Sequence, residues 1–174
     1  GRYFAEAMRL APDSALAVIE YTRHIGYEIW NKRLPDDSIR EMRALAQKAI
    51  LLDYEDARGH MFAGMAEMWL RQTVRAEVLL RRAIELNPSL TIAHEQLGTL
   101  RILSGRPAAG IPSLELALRL SPNDYRLFLK HGEIGLAHLM LGNLDAALSH
   151  AEVAITLRPA YWHAHVTRIN ALAR

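Results

Sequence analysis

One short phrase recurs along the chain at an almost constant interval, and it restricts the fold more than any other feature of the sequence. It begins with alanine, continues with apolar residues and closes with proline, as in "AIELNP" (83–88), "ALRLSP" (117–122) and "AITLRP" (154–159). Two earlier copies are "AMRLAP" (7–12) and "AILLDY" (49–54), the latter ending in tyrosine. Because proline disfavours helical backbone in the residue before it, the phrase predicts the end of a helix.

The spacing of the opening alanines defines a period. Ala49, Ala83 and Ala117 are equally spaced, and the interval from Ala117 to Ala154 is three positions longer. The first interval, from Ala7 to Ala49, is eight positions longer than the base interval. A base period of about 34 residues with short insertions indicates a repeat architecture, in which each unit buries its apolar face against its neighbours.

Each unit is expected to contain two helices. Within residues 57–90, Met61, Met65 and Met68 lie at i, i+4 and i+7, which is helical spacing. A break is predicted at 71–73, before a second apolar helix that ends at the closing phrase. Comparable breaks are predicted in the next two units at "SGRP" (104–107) and "LGNLD" (141–145). Strand signals are essentially absent, which favours an all-α fold.

The pattern resembles the tetratricopeptide repeat, whose consensus reads W-x2-L-G-x2-Y, then A-x3-F, then P, over the same period. Matching residues fill the glycine, leucine, alanine, aromatic and proline positions in three units: Gly64, Gly98 and Gly135; Ala63, Leu97 and Ile134; Ala76, Gly110 and Ala147; Leu80, Leu114 and Ala151; Pro88, Pro122 and Pro159. The resemblance covers nearly the whole chain. It implies helix-turn-helix repeats stacked as a right-handed superhelical solenoid.

We expect a single array over residues 1–174. Its parts are a second helix of a truncated repeat (1–14), the repeats 15–56, 57–90, 91–127 and 128–161, and a first helix of a truncated repeat (162–174). Two residues depart from the pattern. Thr22 stands at the glycine position of its repeat, and Pro112 is expected to kink its helix or delay the start of that helix.

Composition excludes several kinds of function. The chain has no cysteine, which excludes disulfides, thiolate zinc sites and cysteine nucleophiles. Its net charge is only +2, and no aromatic residues interleave with basic runs such as 79–82, so no nucleic-acid surface is expected. Charges interrupt every apolar run well before about 20 residues, so no membrane insertion of this segment is expected.

The beginning of the chain gives two further expectations. It starts with glycine and shows no secretory signal pattern. We therefore interpret the sequence as a piece of a longer protein. The absence of cysteine fits a reducing compartment, and a cytoplasmic location is expected.

The histidines suggest a metal site, but their spacing argues against one. Four of them, His60, His94, His131 and His165, occupy the tryptophan position of successive units. Even directly packed helices lie about 8–10 Å apart, whereas zinc requires nitrogen ligands at about 2 Å. The row therefore predicts contacts between helices, and neither a metal nor another cofactor is expected.

No catalytic motif is present either. "GRPAAG" (105–110) lacks the Gly-Lys-Ser/Thr ending of a phosphate-binding loop, and no serine lies in a nucleophile elbow. This chain is not expected to be an enzyme, although its parent protein could carry a catalytic domain elsewhere.

A binding surface remains. In the family the first helices line the concave face, and the resemblance places these residues there: Arg58, Met61, Met65, Met68, Trp69, Glu95, Thr99, Ile102, Leu136, Leu139 and Met140. Methionine is common at adaptable binding surfaces. An apolar groove of this kind favours an amphipathic helix or an extended apolar peptide over an acidic tail. The alternative is that these residues are core, or that they cover a segment of the parent protein.

The phrasing of residues 81–107 and 116–159, including three extra residues before Phe128, is similar to a narrower group. It resembles the C-terminal repeat regions of bacterial adenylate/guanylate cyclases and those of winged-helix transcriptional regulators. This implies a regulatory module that binds a protein, a peptide or another domain of its parent. The alternatives are a scaffold for an assembly or transport complex and a regulatory domain of a winged-helix regulator. The uncapped ends also allow a homodimer.

Overall fold

A computed structural model describes residues 1–32 and 34–174, and these residues form ten α-helices and no strand. The helices are α1 (Arg2–Leu10), α2 (Ala15–Lys32), α3 (Asp36–Leu52), α4 (Ala57–Trp69), α5 (Thr73–Leu86), α6 (Thr91–Leu103), α7 (Pro107–Leu120), α8 (Leu127–Met140), α9 (Leu144–Leu157) and α10 (Trp162–Leu172). The predicted all-α fold is confirmed. Among the described residues, no helix combines the length and the apolar character that crossing a membrane requires.

The recurrent phrase ends a helix in the same way each time. The backbone carbonyls of Ala49, Ala83, Ala117 and Ala154 accept the last helical hydrogen bond of α3, α5, α7 and α9, at 2.9–3.2 Å. The four alanine side chains are completely buried. Ala7 accepts the corresponding bond at the end of α1. The phrase thus combines a helix end with a small side chain that lets another helix approach.

The breaks predicted inside the units are tight turns with left-handed backbone. Gly105 and Gly142 have φ values of 76° and 79°, and Arg71 occupies the equivalent position with a φ of 61°. In each turn the next residue donates its N–H to a carbonyl five residues earlier, as Gln72 does to Glu67 at 2.8 Å. This is the Schellman arrangement, in which glycine is preferred at the left-handed residue.

Glycine at the family's small position allows close contact between paired helices. A Cβ atom on Gly64 of α4 would lie 2.8 Å from Cγ of Leu80 on α5. A Cβ atom on Gly98 of α6 would lie 2.6 Å from Cγ of Leu114 on α7. We call α4, α6 and α8, which carry this glycine, and α10, which has the next equivalent position, the first helices. We call α5, α7 and α9 the second helices.

The structure accommodates Thr22 and Pro112, the two residues that depart from the repeat pattern, in different ways. Thr22 is fully buried and donates its hydroxyl to the carbonyl of Val18 at 2.7 Å, so its polar group is satisfied. The helix α7 begins at Pro107 and continues through Pro112 to Leu120. The expectation that Pro112 delays the start of this helix is therefore wrong. The proline removes one N–H donor without ending the helix.

The helices form two compact units, residues 1–93 and 94–174. In the first unit, α4 packs against both α3 and α5. In the second unit, α8 packs against α7, α9 and α10. An apolar cluster in that unit joins Ile102 and Leu114 to Ile134 and Ala137.

Candidate functional site

The first unit places its predicted binding residues on a helix that is buried on most sides. Met61 is only 2% exposed and belongs to the core, which corrects the expectation that it lines an accessible groove. The prediction was wrong because α4 is covered on several sides. Helical spacing shows which residues share a face but not which faces other helices cover. Met65, Met68 and Trp69 are half-buried and present part of their surface.

Arg58 is held by neighbouring carboxylates. Its guanidinium donates to Asp56 at 2.7 Å and lies 3.6 Å from Glu20 on α2. Asp56 also accepts the backbone N–H of Arg58 at 2.9 Å and so caps the start of α4. The hydrogen bond from the Arg58 side chain lowers the pKa of the Asp56 carboxyl. Arg58 therefore has a structural role, and about two fifths of its side chain remains exposed.

In the second unit, two predicted residues of α6 are buried. Ile102 is 0% exposed and packs with Leu114 and Ile134, so it is core and not groove lining. Glu95 is also buried, and its carboxylate lies 3.3 Å from both the Arg126 guanidinium and the Lys130 ammonium. These two findings correct the expected site. Thr99 is half-buried.

The three predicted binding residues of α8 also differ in how far they are buried. Leu139 is buried against Ala147 of α9 and Ala171 of α10, which corrects its assignment to the groove. Leu136 is half-buried, and Met140 is 49% exposed. Accessible predicted residues therefore remain in both units: Arg58, Met65, Met68 and Trp69 in the first; Thr99, Leu136 and Met140 in the second.

The sequence-based prediction of the site omitted one exposed residue. Leu103, at the end of α6, is 67% exposed. It lies one base period after Trp69 and, once the three-residue insertion is allowed for, one base period before Met140. The three residues therefore share one position of the repeat. The register that selected Trp69 and Met140 could also have selected Leu103.

The insertion between α7 and α8 builds a buried ionic cluster. Its residue Asp124 accepts a hydrogen bond from Lys130 at 2.5 Å, and the Lys130 side chain is 0% exposed. Arg126 lies 3.3 Å from Glu95 and 3.6 Å from Asp124. Two carboxylates and two cations thus neutralise one another inside the second unit, which reduces the electrostatic penalty of burying them.

A third carboxylate, Glu133, has no cation partner among the residues that the structure describes. Its buried Oε2 atom has no hydrogen-bond partner. Burial, followed by the nearby charge of Glu95, raises the pKa of Glu133 to about 7. Burial, followed by the charges of Glu133 and Glu95, also raises the pKa of the Tyr161 hydroxyl. This cluster is structural in its contacts, and its charge balance depends on pH.

Three of the four histidines at the tryptophan position have described hydrogen bonds. His60 and His165 place Nε2 at 2.9 and 2.8 Å from the carbonyls of Tyr54 and Pro159, six residues earlier. Each therefore fastens its helix to the turn before it. His131 follows the three-residue insertion, and its Nδ1 lies instead 3.0 Å from Nδ1 of His150 on α9.

The rings of His131 and His150 meet end to end. Their centroids are 5.2 Å apart and the facing nitrogens are 3.0 Å apart, so one nitrogen donates a hydrogen bond to the other. Among residues 1–32 and 34–174, no group of three or more histidine or carboxylate side chains is placed to hold a metal ion.

Comparison with known proteins identifies the fold of this chain. No family model matches the sequence. No curated protein matches it either. The solved structure of YrrB, a tetratricopeptide protein with an unusual peptide-binding site, superposes with a TM-score of 0.68 at 20% identity, over 98% of this chain and 82% of YrrB.

Two further structures agree. TTC0263, a thermophilic tetratricopeptide protein from Thermus thermophilus, gives a TM-score of 0.75 at 20% identity, over 98% of this chain and 88% of TTC0263. The Cut9–Hcn1 hetero-tetramer of the APC/C gives 0.87 at 18% identity, over 99% of this chain but only 32% of the matched one. The fold of this chain is therefore that of tetratricopeptide repeats.

Proposed function

We propose that this chain is a non-catalytic interaction module that binds a protein or peptide through accessible side chains of its first helices. The observation that carries the proposal is one repeat position that holds a large apolar side chain three times, half-buried at Trp69 and exposed at Leu103 and Met140. Trp69, Leu103 and Met140 occupy the same place in three successive repeats, and all three present apolar surface. Large apolar side chains that recur at one accessible repeat position are typical of contact residues, since aromatic and methionine side chains are enriched at interfaces.

The names of two similar structures support this proposal. YrrB is described by its peptide-binding site, and Cut9 is part of a hetero-tetramer. The division into repeats 15–56, 57–90, 91–127 and 128–161 belongs to the same proposal, because it assigns equivalent positions to equivalent roles. A peptide that binds here would be an amphipathic helix or an extended apolar segment, matching the half-buried Met65 and Met68.

The finer proposal concerns the parent protein. The similarity of residues 81–107 and 116–159 to repeat regions of bacterial cyclases supports a regulatory segment of a cytoplasmic signalling protein. A scaffold for an assembly or transport complex and a segment of a winged-helix regulator are the alternatives. Sequencing the gene beyond this segment separates them, because a cyclase domain, a winged helix or neither would be encoded there.

The test begins with a displayed library of random peptides selected on the 174-residue chain. We expect Trp69→Ala to weaken the best selected peptide at least tenfold, since truncating an aromatic anchor costs about 2 kcal/mol or more. The matched control is Val74→Ala on α5, an exposed apolar residue outside the first helices. Peptide affinity is measured by fluorescence anisotropy and folding by thermal denaturation.

The stability of each variant decides how a loss of binding is interpreted. Leu97→Ala, a buried position, should destabilise the chain by about 2–5 kcal/mol. Trp69→Ala should shift the melting temperature far less. If Trp69→Ala unfolds the chain as strongly as Leu97→Ala, Trp69 is a core residue and the proposed surface is wrong. Equal affinities in the Trp69 and Val74 variants would also reject it.

A further inference from the structure

Glu133 carries a charge that the contacts of its own unit do not balance. The paired part of the ionic cluster contains two carboxylates and two cations, so the ionised form of this third carboxylate leaves one negative charge in excess. Its Oε2 atom is buried and has no hydrogen-bond partner among the described residues. Buried carboxylates are normally paired, because burying an ionised group without a partner is costly. The contacts inside the unit therefore give no reason for a carboxylate here.

The repeat fold does not require a charge at this position either. The corresponding residues are Phe62 on α4 and Gln96 on α6, which lie one base period apart, and the three-residue insertion lengthens the interval from Gln96 to Glu133. Phe62 is buried and Gln96 is half-buried. An apolar side chain and a neutral one thus fill the position in the two preceding repeats. Packing of the repeats alone does not account for the carboxylate of Glu133.

Glu133 shares one face of α8 with the accessible residues of the proposed surface. Leu136 and Met140 follow it by three and seven positions, which is the spacing of a single helical face. Leu136 is half-buried and Met140 is 49% exposed. Glu133 is itself only half-buried, so part of the residue reaches the surface although its Oε2 atom does not. A peptide that contacts Leu136 and Met140 would therefore pass beside this carboxylate.

The surroundings of Glu133 determine the charge of a group that can pair with it. Glu95 of α6 is close enough for its charge to act on Glu133. The cations of the cluster, Arg126 and Lys130, already contact Glu95 and Asp124. A further carboxylate would add repulsion, whereas a Lys or Arg side chain would complete the charge balance. The long stem of either side chain can lie along apolar surface while its charged end reaches a carboxylate.

We infer that the second unit binds a basic peptide segment of a partner protein, whose apolar side chains contact Leu136 and Met140 and whose Lys or Arg pairs with Glu133. The inference rests on the proposed function and adds the charge of the partner to it. Glu133 and Met140 lie about 10 Å apart along the axis of α8. The basic residue and the residue over Met140 are therefore separated by about two turns of a helical peptide, or by about three residues of an extended one.

Two displayed peptide libraries test the inference. Both contain the same apolar and neutral residues, but one adds Lys and Arg and the other adds Asp and Glu. They are selected separately on the full 174-residue chain at pH 8.5, where Glu133 is ionised because its pKa is about 7. The best basic peptide should bind at least tenfold more tightly than the best acidic peptide. The net charge of +2 favours acidic peptides, so it cannot produce this preference.

Matched variants locate the contact. Glu133→Gln should weaken the best basic peptide at least tenfold, whereas Glu152→Gln, at an exposed position of α9, should leave its affinity unchanged. Replacing the contacting Lys or Arg of the peptide by Gln should weaken binding to the wild type by a similar factor. The same replacement should have almost no effect on binding to Glu133→Gln, because the pair is then already broken. Circular dichroism checks that each variant is folded, and Glu133→Leu provides the test if Glu133→Gln is not.

Failure of this inference and failure of the proposed function give different results. If the affinity of the best peptide falls with Trp69→Ala or Met140→Ala but not with Glu133→Gln, the inference is wrong and the proposed function stands. If neither library yields a binding peptide, both are wrong. An acidic peptide that binds as tightly as the best basic one would overturn the inference. A wild-type dimer that Glu133→Gln converts to a monomer in sedimentation would also overturn it, since a second copy would then be the occupant.

Discussion

Among the single residues, Arg71 adopts a left-handed backbone conformation where the equivalent turns have glycine. A side chain in this conformation costs roughly 1 kcal/mol relative to glycine. Arg71→Gly should therefore stabilise the chain by up to about 1 kcal/mol in urea denaturation. The matched reverse change is Gly105→Ala, which should destabilise by a similar amount although no atom lies within 4 Å of the new methyl group. A loss of stability in Arg71→Gly would contradict this assignment.

A second residue, Glu133, gives a prediction about pH. Its folded pKa of about 7 lies above the ordinary value of 4.5, so the folded state binds the proton more strongly. The contribution of this group to stability is therefore present at low pH and is lost as pH rises from about 4.5 to 7. Glu133→Gln should leave stability almost unchanged at pH 5. It should increase stability at pH 8.5 by about 1–3 kcal/mol.

The comparison uses urea denaturation of both proteins at the two pH values, with Glu152→Gln as the exposed control. The histidine pair acts in the opposite direction. Burial and then the neighbouring His131 lower the pKa of His150 to about 4, so stability falls on acidification below about 6.5. This contribution is common to the wild type and the Glu133 variant and largely cancels in their difference. Equal gains at pH 5 and pH 8.5 would contradict an unpaired buried carboxylate.

Among the helices, the close approach of α6 and α7 depends on Gly98. An added methyl group would lie 2.6 Å from Cγ of Leu114 and 3.0 Å from the carbonyl oxygen of Gly110. Gly98→Ala should destabilise by about 1–3 kcal/mol, because the clash outweighs the gain in helix propensity. Gly135→Ala on α8, whose nearest contact is 3.3 Å, is the matched control and should be close to neutral. Similar effects of the two changes in thermal denaturation would contradict this packing.

The helices could be predicted from the sequence because each boundary has a local cause. The phrase alanines mark where α3, α5, α7 and α9 end, and Gly105 and Gly142 mark the turns inside the units. The accessible surface could not be predicted so well. Most residues of α4 are buried, so its sequence has no contrast between an apolar and a polar face. Met61 and Met65 therefore look alike in the sequence although only Met61 is fully covered.

The ionic cluster was also missed, for a different reason. Asp124 and Arg126 belong to the segment that carries the three-residue insertion, where the repeat pattern specifies no residue. The contact of Arg126 with Glu95 joins residues distant in sequence, and Asp124 contacts Lys130 six residues further along the chain. Glu95 was expected at the groove from its register alone. It is buried beside two cations, Arg126 and Lys130, that its repeat position does not reveal.

The molecule as a whole combines a tetratricopeptide fold with side chains in both of its units that are proposed here to contact other proteins. The first helices offer Trp69 in the first unit and Leu103 and Met140 in the second. The described interior carries charges that are mostly paired, as Lys130 is with Asp124 and Glu95. These features are consistent with the role of an interaction module proposed above.

That role is tested by an NMR titration of the chain, labelled at its six methionine methyl groups, with the best peptide from the displayed library. The methyl signals of Met65 and Met68, of Met140, or of all three should shift or broaden at stoichiometric peptide. Met42, which is fully buried, and Met8 on α1 should remain unchanged. Changes confined to Met8, or binding without any change at Met65, Met68 and Met140, would contradict the proposed first-helix surface.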